Sequence, residues 1–330
     1  MNSEEKTEMR EDSALLRLKF REPSPETKRA VCHAALYGEI PDPEKKIRKI
    51  TGHRYVRILS SGNATILLTV SRLDGPILVP DEGGWRGFKR IPEILGREVF
   101  TVKTERGLID PDVLESRLED TGARALFVTS FAGYTAEQPI AELSDICRSH
   151  DAILVEDASG SVSDPLGRLC NGKYSHIIIA STGSPKTVNA GGGGFISTSI
   201  PEFAQQDMLL SALKADPYVR AAVAAELDVA KRNLTETLRA CSYLKEKLEG
   251  AFHPEKRGIN VIVPSSTPRE DVKTLKKLIT ADGRSIFTAC PSPDRTLESA
   301  VAVEVKNLDV GCLTHENLEM MAEIISSVIM

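Results

Sequence analysis

The loop between residues 182 and 193 holds a lysine in a setting suited to covalent chemistry. Lys186 lies in the segment IIIASTGSPKTVNAGGGGFIST, where serines, threonines and glycines join two apolar runs. A lysine held in such a loop can be partly removed from water, which lowers the pKa of its amine and frees that amine to form a Schiff base. The glycines Gly191–Gly194 allow the backbone to turn sharply or to approach a ligand closely. The ordinary alternative is an exposed lysine on a surface loop.

Two polar segments earlier in the chain could serve the same site. Ser61–Ala64 (SGNA) begins a predicted helix, and the free N–H groups at a helix N-terminus suit a phosphate. Asp157 ends the apolar segment AILVEDA, where strand alternation turns Glu156 to the opposite face. A carboxylate leaving a buried strand needs a partner, because burying an unpaired charge is costly, and a cationic heterocycle would serve. An ordinary helix cap, or a metal ligand at position 157, would explain the same residues.

The order of these residues along the chain is more informative than any one of them. The only tryptophan, Trp85, follows the apolar run PILVPD, where its ring could stack on a planar ligand or fill a core or interface. Asp157 precedes Lys186 by 186 − 157 = 29 residues, with Ser181 between them. A Schiff-base lysine combined with an aspartate on a pyridinium nitrogen is the signature of pyridoxal phosphate (PLP) sites. The order therefore predicts a PLP site.

A doubly wound α/β sheet would bring these positions together. The runs PILVPD, ALFVTSF, AILVEDA and HIIIAST are apolar on both faces, as expected for parallel strands covered by helices. Helical patterns alternate with them, including one opened by Asp110 and Pro111 and one over residues 139–150. Ligands in such sheets bind beyond the carboxyl ends of the strands, which is where Asp157 and Lys186 fall.

The chain divides into three predicted parts. Residues 1–44 form a polar tail and an arm, in which Leu15, Leu16 and Leu18 suggest a short arm or helix. Residues 45–225 form the large α/β domain, which opens with a basic helical stretch extending to Arg57 that suits either a phosphate-rich partner or a solvated helix face. Residues 226–330 form a smaller α+β domain, with a long helix over 219–249 leading into it, another near 269–281, and a final helix capped by Thr314.

Composition excludes several classes of protein. Apolar residues make up 41% and charged residues 27% of the 330 positions, so the chain is a packed globular protein rather than a disordered one. The net charge of −5 argues against a nucleic-acid-binding surface, and no apolar run reaches the roughly 18 residues of a membrane span. The acidic start lacks the pattern of a secretory signal. Six scattered cysteines without a C-x-x-C pair predict reduced thiols in the cytoplasm and no metal site.

Residues from about 55 to 200 resemble the fold-type-I PLP enzymes, most closely the DegT/DnrJ/StrS sugar-aminotransferase family. The family's phosphate-binding helix begins S-G-T-A, and this chain has Ser61–Ala64. The family's strand ending in E-D-A corresponds to Glu156–Ala158. The family's serine, four further residues, lysine and glycine-rich tail correspond to Ser181, Lys186 and the glycines that follow.

The resemblance implies a cofactor, an activity and a set of site residues. It implies that Lys186 forms the Schiff base with PLP and that Asp157 pairs with the ring nitrogen. The other residues that it implies at the cofactor are Gly62, Asn63, Ala64 and Ser181 on the phosphate and Trp85 stacked on the ring. The implied reaction moves an amino group from an amino-acid donor to a carbonyl acceptor. A homodimer is also implied, because fold-type-I sites are usually built from two subunits.

Three positions depart from the family's pattern and concern the substrate. Gly160, Ser130 and Gly192 replace a glutamine, a histidine and a glutamate of the family. Other PLP reactions therefore stay open, including elimination, aldol cleavage and a sulfur transfer that would use Cys170 or Cys290. A PLP-binding protein without catalysis is the remaining alternative. The candidates for binding a substrate carboxylate are Arg284 and Arg295. The family also has an asparagine in an element that reaches the neighbouring subunit's site, and the candidate for it here is Asn233.

Overall fold

The computed structural model describes residues 16–329 of the chain, so the predicted polar tail and Leu15 lie outside the described residues. In chain order, the strands are β1 Leu16–Leu18, β2 Tyr55–Leu59, β3 Ile77–Pro80, β4 Val99–Val102, β5 Thr104–Glu105, β6 Leu108–Ile109, β7 Ala125–Thr129, β8 Phe131–Ala132, β9 Ala136–Glu137, β10 Ile153–Asp157, β11 Ile177–Ser181, β12 Gly194–Thr198, β13 Val261–Pro264, β14 Ile279–Ala281, β15 Phe287–Ser292 and β16 Thr296–Val303. The helices are α1 Pro25–Tyr37, α2 Pro43–Thr51, α3 Gly62–Ser71, α4 Gly87–Ile94, α5 Pro111–Thr121, α6 Ile140–Ser149, α7 Met208–Leu213, α8 Pro217–Lys247, α9 Pro268–Leu278 and α10 His315–Ile329.

A seven-stranded sheet forms the centre of the large domain. Its strands lie in the order β2-β12-β11-β10-β7-β3-β4. The pairs from β11 through β4 are parallel, and β12 runs antiparallel to both of its neighbours. The prediction of a doubly wound, mainly parallel α/β sheet is confirmed.

Helices cover both faces of this sheet, which explains why its strands are apolar throughout. On one face, Leu126 of β7 packs in a cluster with Leu114 of α5 and Leu143 of α6. On the other face, Phe127 of the same strand packs in a cluster with Leu68 of α3. Successive side chains of a strand point to opposite faces, so both sets must be apolar.

The smaller domain is built on the antiparallel sheet β13-β16-β15, covered by α9 and α10. The predicted helix over 269–281 is too long, because α9 ends at Leu278 and Ile279–Ala281 forms a strand that pairs in parallel with β1. The predicted arm or helix around Leu16 and Leu18 is strand β1, and both leucines belong to the core of the small domain. The three-part division of the chain stays a prediction.

Two other boundaries differ from the sequence expectation. The long helix α8 begins at Pro217 rather than at 219, because Asp216 caps it by accepting hydrogen bonds from two backbone N–H groups. The basic helical stretch ends at Thr51, because Gly52 adopts a left-handed conformation (φ 75°), and Arg57 lies in β2. None of the described helices is long and apolar enough to cross a membrane.

Candidate active site

A cavity of about 190 Å³ opens at the carboxyl ends of the central strands. Its walls bring together Gly62, Asn63, Trp85, Asp157, Ser181 and Lys186, which were all predicted site residues. Ala64 is the exception, because it does not line the cavity and its backbone N–H donates to the Ser61 hydroxyl over 3.1 Å. The sequence order therefore corresponds to a single site.

The N-terminus of α3 forms one end of the cavity. Ser61 caps this helix, and the next two residues, Gly62 and Asn63, line the wall. A Cβ atom on Gly62 would lie 2.7 Å from the Cβ of Ser181, so only glycine lets the helix approach the end of β11 so closely. The positive end of the helix dipole and the Ser181 hydroxyl thus face the same space, which suits a phosphate.

Trp85 forms a side wall and is oriented by Asn63. Its indole Nε1–H donates a hydrogen bond of 3.0 Å to the Asn63 side-chain oxygen. A Cβ on Gly87 would lie 2.6 Å from the same Nε1, so the start of α4 leaves room for the ring. The half-buried ring therefore has a fixed orientation beside the cavity, as stacking on a planar ligand requires.

Asp157 has one carboxylate oxygen engaged and one available. Oδ1 accepts hydrogen bonds from the backbone N–H of Ser159 (2.9 Å) and from the Ser159 hydroxyl. Oδ2 makes no hydrogen bond among the described residues. Burial raises the pKa of Asp157, while the bonds from Ser159 and the charge of Lys186 act in the opposite direction. A protonated ring nitrogen would supply the partner that Oδ2 lacks.

Ser159 was not singled out from the sequence, although it links two site residues. Its hydroxyl donates to Asp157 and accepts the backbone N–H of Ser181 over 2.8 Å. Its position two residues after the strand-end aspartate is the only sequence signal for it. Glu156 points away from the cavity, as predicted, and accepts hydrogen bonds from Ser130 and Ser175.

Lys186 is close to the phenol of Tyr134, with 3.5 Å between Nζ and Oη. Burial acts to lower the pKa of this lysine, as expected from the sequence, but the overall shift is upward, so the expectation of a lowered pKa is wrong. The Tyr134 hydroxyl first, and then the Asp157 carboxylate, raise the pKa of Lys186 above its ordinary value, against the opposing effects of burial and Arg295. These surroundings therefore favour the ammonium form of Lys186.

The two candidate arginines for a substrate carboxylate lie in different places. Arg295 lies over the ring of Tyr134, 4.5 Å from its centroid, and pairs with Glu304 over 2.7 Å. It thus contacts the same ring as Lys186, but it does not line the cavity. Arg284 packs on the ring of Phe20, and neither it nor Asn233 lines the cavity.

The two cysteines considered for sulfur transfer are also outside the cavity. Cys170 and Cys290 are buried, and burial raises the pKa of both thiols above the ordinary value. A sulfur-transfer cysteine has to be a reachable thiolate, so neither residue is suited to that role.

Comparison with known families adds the decisive observation. The model of the DegT/DnrJ/EryC1/StrS aminotransferase family matches residues 36–241. The chain belongs to this family. Residues 231–326 match a second model, the MJ1341 family C-terminal domain. The protein is thus an aminotransferase-like enzyme of fold type I whose cofactor is PLP.

Solved structures share this fold over nearly the whole chain. 3-Amino-5-hydroxybenzoic acid synthase is 13% identical with a TM-score of 0.73, covering 96% of this chain and 99% of that one. DesI, solved with its TDP-sugar product, is 15% identical with a TM-score of 0.72, at 96% and 93% coverage. A cysteine desulfurase from Thermococcus onnurineus is 13% identical with a TM-score of 0.70, at 96% and 94% coverage. Curated protein sequences give no match.

Two departures from the family's pattern have local explanations. A Cβ on Gly160 would lie 2.6 Å from Cδ1 of Ile259, so a glutamine there would require the Ile259 side chain to move. Ser130 donates to the buried Glu156 rather than facing the cavity.

Proposed function

We propose that the protein is a PLP-dependent aminotransferase in which Lys186 holds the cofactor as a Schiff base and Asp157 pairs with its ring nitrogen. One observation carries the proposal: Lys186 and Asp157, whose Oδ2 makes no hydrogen bond among the described residues, line the same cavity as the N-terminus of α3. These are the three groups that an aldehyde, a ring nitrogen and a phosphate on one small molecule would need.

The remaining site residues have supporting roles. Gly62, Asn63 and Ser181 would hold the phosphate at the positive end of α3, and Trp85 would stack on the ring. Ala64 contributes by keeping the Ser61 cap in place through its N–H, rather than by touching the cofactor. Ser159 engages Oδ1 of Asp157, which would leave Oδ2 for the ring nitrogen of the cofactor.

Lys186 and Asp157 would share the chemical work. PLP, when bound, accepts the electron pair left after a proton leaves the donor's α-carbon. Once the amino donor has displaced Lys186, its free Nζ can take that proton as a general base and return it on the cofactor side. Asp157 keeps a proton on the ring nitrogen through a charge-assisted hydrogen bond, so the positive charge that attracts the electron pair is maintained.

The substrates are proposed to be an amino-acid donor and a carbonyl acceptor, both small molecules. We also propose a homodimer, because the chain belongs to a family of fold-type-I enzymes, whose sites are usually built from two subunits. Cytoplasmic placement is supported by the free, largely buried thiols. Sulfur transfer is not favoured, because no cysteine lines the cavity.

The Schiff-base assignment is tested by the absorbance of the purified protein with PLP. Wild-type protein should show a visible Schiff-base band that borohydride abolishes, leaving the cofactor covalently attached. Lys186→Ala should bind PLP without this attachment and lose turnover. Lys89→Ala is the matched control, since Lys89 lies in the neighbouring groove beside Trp85 and outside the cavity.

A reducible protein adduct in Lys186→Ala would show that another amine holds the cofactor. Spectral titration with a panel of amino acids then identifies the donor, because the correct donor removes the band by converting the cofactor to its aminated form. Bound PLP that no amino acid converts would refute transamination while leaving PLP binding intact.

A further inference from the structure

Tyr134 has a backbone position fixed by contacts with the C-terminal part of the chain. It adopts a left-handed conformation (φ 65°), which is uncommon for a residue other than glycine and persists only where the surroundings enforce it. Its carbonyl oxygen accepts the backbone N–H groups of Ile259 (2.8 Å) and Asn260 (2.9 Å). The preceding Gly133 packs on the backbone of Arg295, where a Cβ would lie 2.5 Å from the carbonyl oxygen. Tyr134 is therefore set in place by contacts with residues 259–295.

The ring of Tyr134 is surrounded by positive charge. Three cations lie near its centroid: Arg295 at 4.5 Å, Lys306 at 5.1 Å and Lys186 at 5.3 Å. Arg295 and Lys306 share one carboxylate, that of Glu304, so the pair retains a net positive charge. Cations attract the negative face of an aromatic ring, so these contacts hold the ring and aim its hydroxyl at Lys186.

We propose that Tyr134 is a catalytic residue that accepts a hydrogen bond from the Lys186 ammonium group and so holds, inside the cavity, the proton that Lys186 removes from the substrate. This inference rests on the proposed function. The proton leaves the donor's α-carbon, the C–H bond breaks, and an N–H bond forms on Nζ while the electron pair stays with the substrate and cofactor. Tyr134 itself neither gains nor loses a proton. Its oxygen accepts a hydrogen bond from the charged Nζ and stabilises that form until the proton is returned.

The groups that face Lys186 act on its proton in both directions. Tyr134 and the Asp157 carboxylate favour the ammonium form, whereas burial and the charge of Arg295 oppose it. Once Asp157 is engaged with the ring nitrogen of the cofactor, the Tyr134 oxygen is the acceptor nearest to Nζ that stays free. Its hydroxyl is thus the group whose removal should change the titration of Lys186 most.

The test measures the titration of Lys186 directly in the full chain without cofactor. The lysines are reductively methylated with ¹³C, and the resonance missing in Lys186→Arg assigns residue 186. Tyr134→Phe keeps the ring and its contacts with the cations but removes the oxygen. It should lower the titration midpoint of Lys186 by about one pH unit, a tenfold loss of proton affinity. Tyr134→His, whose ring reaches less far toward Nζ, should give a shift in the same direction.

The matched control is Tyr243→Phe, which removes a tyrosine hydroxyl bonded to Glu319 in the small domain. Its Lys186 midpoint should equal that of wild type. In the PLP-loaded enzyme, the limb of the pH–rate profile that reports Lys186 should move in Tyr134→Phe by the same amount, whereas a merely structural role would lower the rate at every pH.

An unchanged midpoint in folded Tyr134→Phe would overturn the role of Tyr134 and leave the proposed function standing. Failure of wild-type protein to bind PLP would instead overturn the proposed function, whereas the cofactor-free titration reports only the contact between Tyr134 and Lys186.

Discussion

Replacing Gly62 by alanine should harm cofactor binding more than any other single-methyl change in the cavity wall. The new Cβ would lie 2.7 Å from the Cβ of Ser181 and 3.1 Å from its Cα. Ser181 ends β11 and is paired with Gly194 of β12, so it cannot move without distorting the sheet. Since carbon atoms are in comfortable contact at about 3.5–4.0 Å, the helix start must move away by roughly 1 Å.

Overpacking of this kind costs about 1–3 kcal/mol. The higher helix propensity of alanine offsets less than about 1 kcal/mol of this destabilisation. The displacement also separates the α3 N-terminus from Ser181, the two groups proposed to hold the phosphate. Because about 1.4 kcal/mol corresponds to a factor of ten in affinity, the Kd for PLP should rise about tenfold or more.

Two measurements check this prediction: thermal denaturation without cofactor and absorbance titration with PLP. The matched control is Gly192→Ala, whose Cβ would meet only Val219 at an ordinary 3.8 Å and which is expected to behave as wild type. Wild-type PLP affinity in Gly62→Ala, or equal damage in both variants, would refute the steric argument.

Two further changes test the charges of the site. Asp157→Asn keeps the oxygen that accepts hydrogen bonds from Ser159 but removes the negative charge, so PLP should still bind. The single-turnover rate with the amino donor should fall about ten- to hundredfold, which corresponds to the free energy of a charge-assisted hydrogen bond. An unchanged rate would contradict the role of Asp157. Glu304→Gln leaves Arg295 and Lys306 buried without their carboxylate and should cost about 3–5 kcal/mol of unfolding free energy at pH 7. Although burial raises the pKa of Glu304, Lys306 and Arg295 hold it well below the ordinary 4.5, so its stabilisation is present above pH 4.5 and is lost as the pH falls. Urea denaturation from pH 7 to pH 3 should therefore show a steeper acid loss in wild type than in Glu304→Gln, and parallel curves would contradict this.

Local patterns were enough to predict the sheet and most of the cavity. Strand alternation correctly turned Asp157 to the site and Glu156 away from it, because the period of a strand is a backbone property. The start of α3 could be predicted because a cap and small residues precede an apolar run. Residues at the carboxyl ends of neighbouring parallel strands lie close together regardless of the conformation of the loops between the strands.

The features that could not be predicted from the sequence depend on long-range contacts. The direction of the Lys186 pKa shift depends on Tyr134, which lies 52 residues away and carries no motif. Ile279–Ala281 continue a helical pattern in the sequence, but their hydrogen bonds go to β1 at the other end of the described chain. Tertiary pairing overrides local propensity at both places.

The pairing of β1 with β14 has a consequence for how the protein can be made and divided. Residues 16–18 are synthesised early, yet their partner strand emerges only after residue 279. The core of the small domain can therefore be completed only late in synthesis, because it combines Leu16 and Leu18 with residues as late as Ile325. A fragment cut at residue 231 would lack this strand, and Leu275, Ile279 and Leu318 would lose the cover that Leu16 and Leu18 provide.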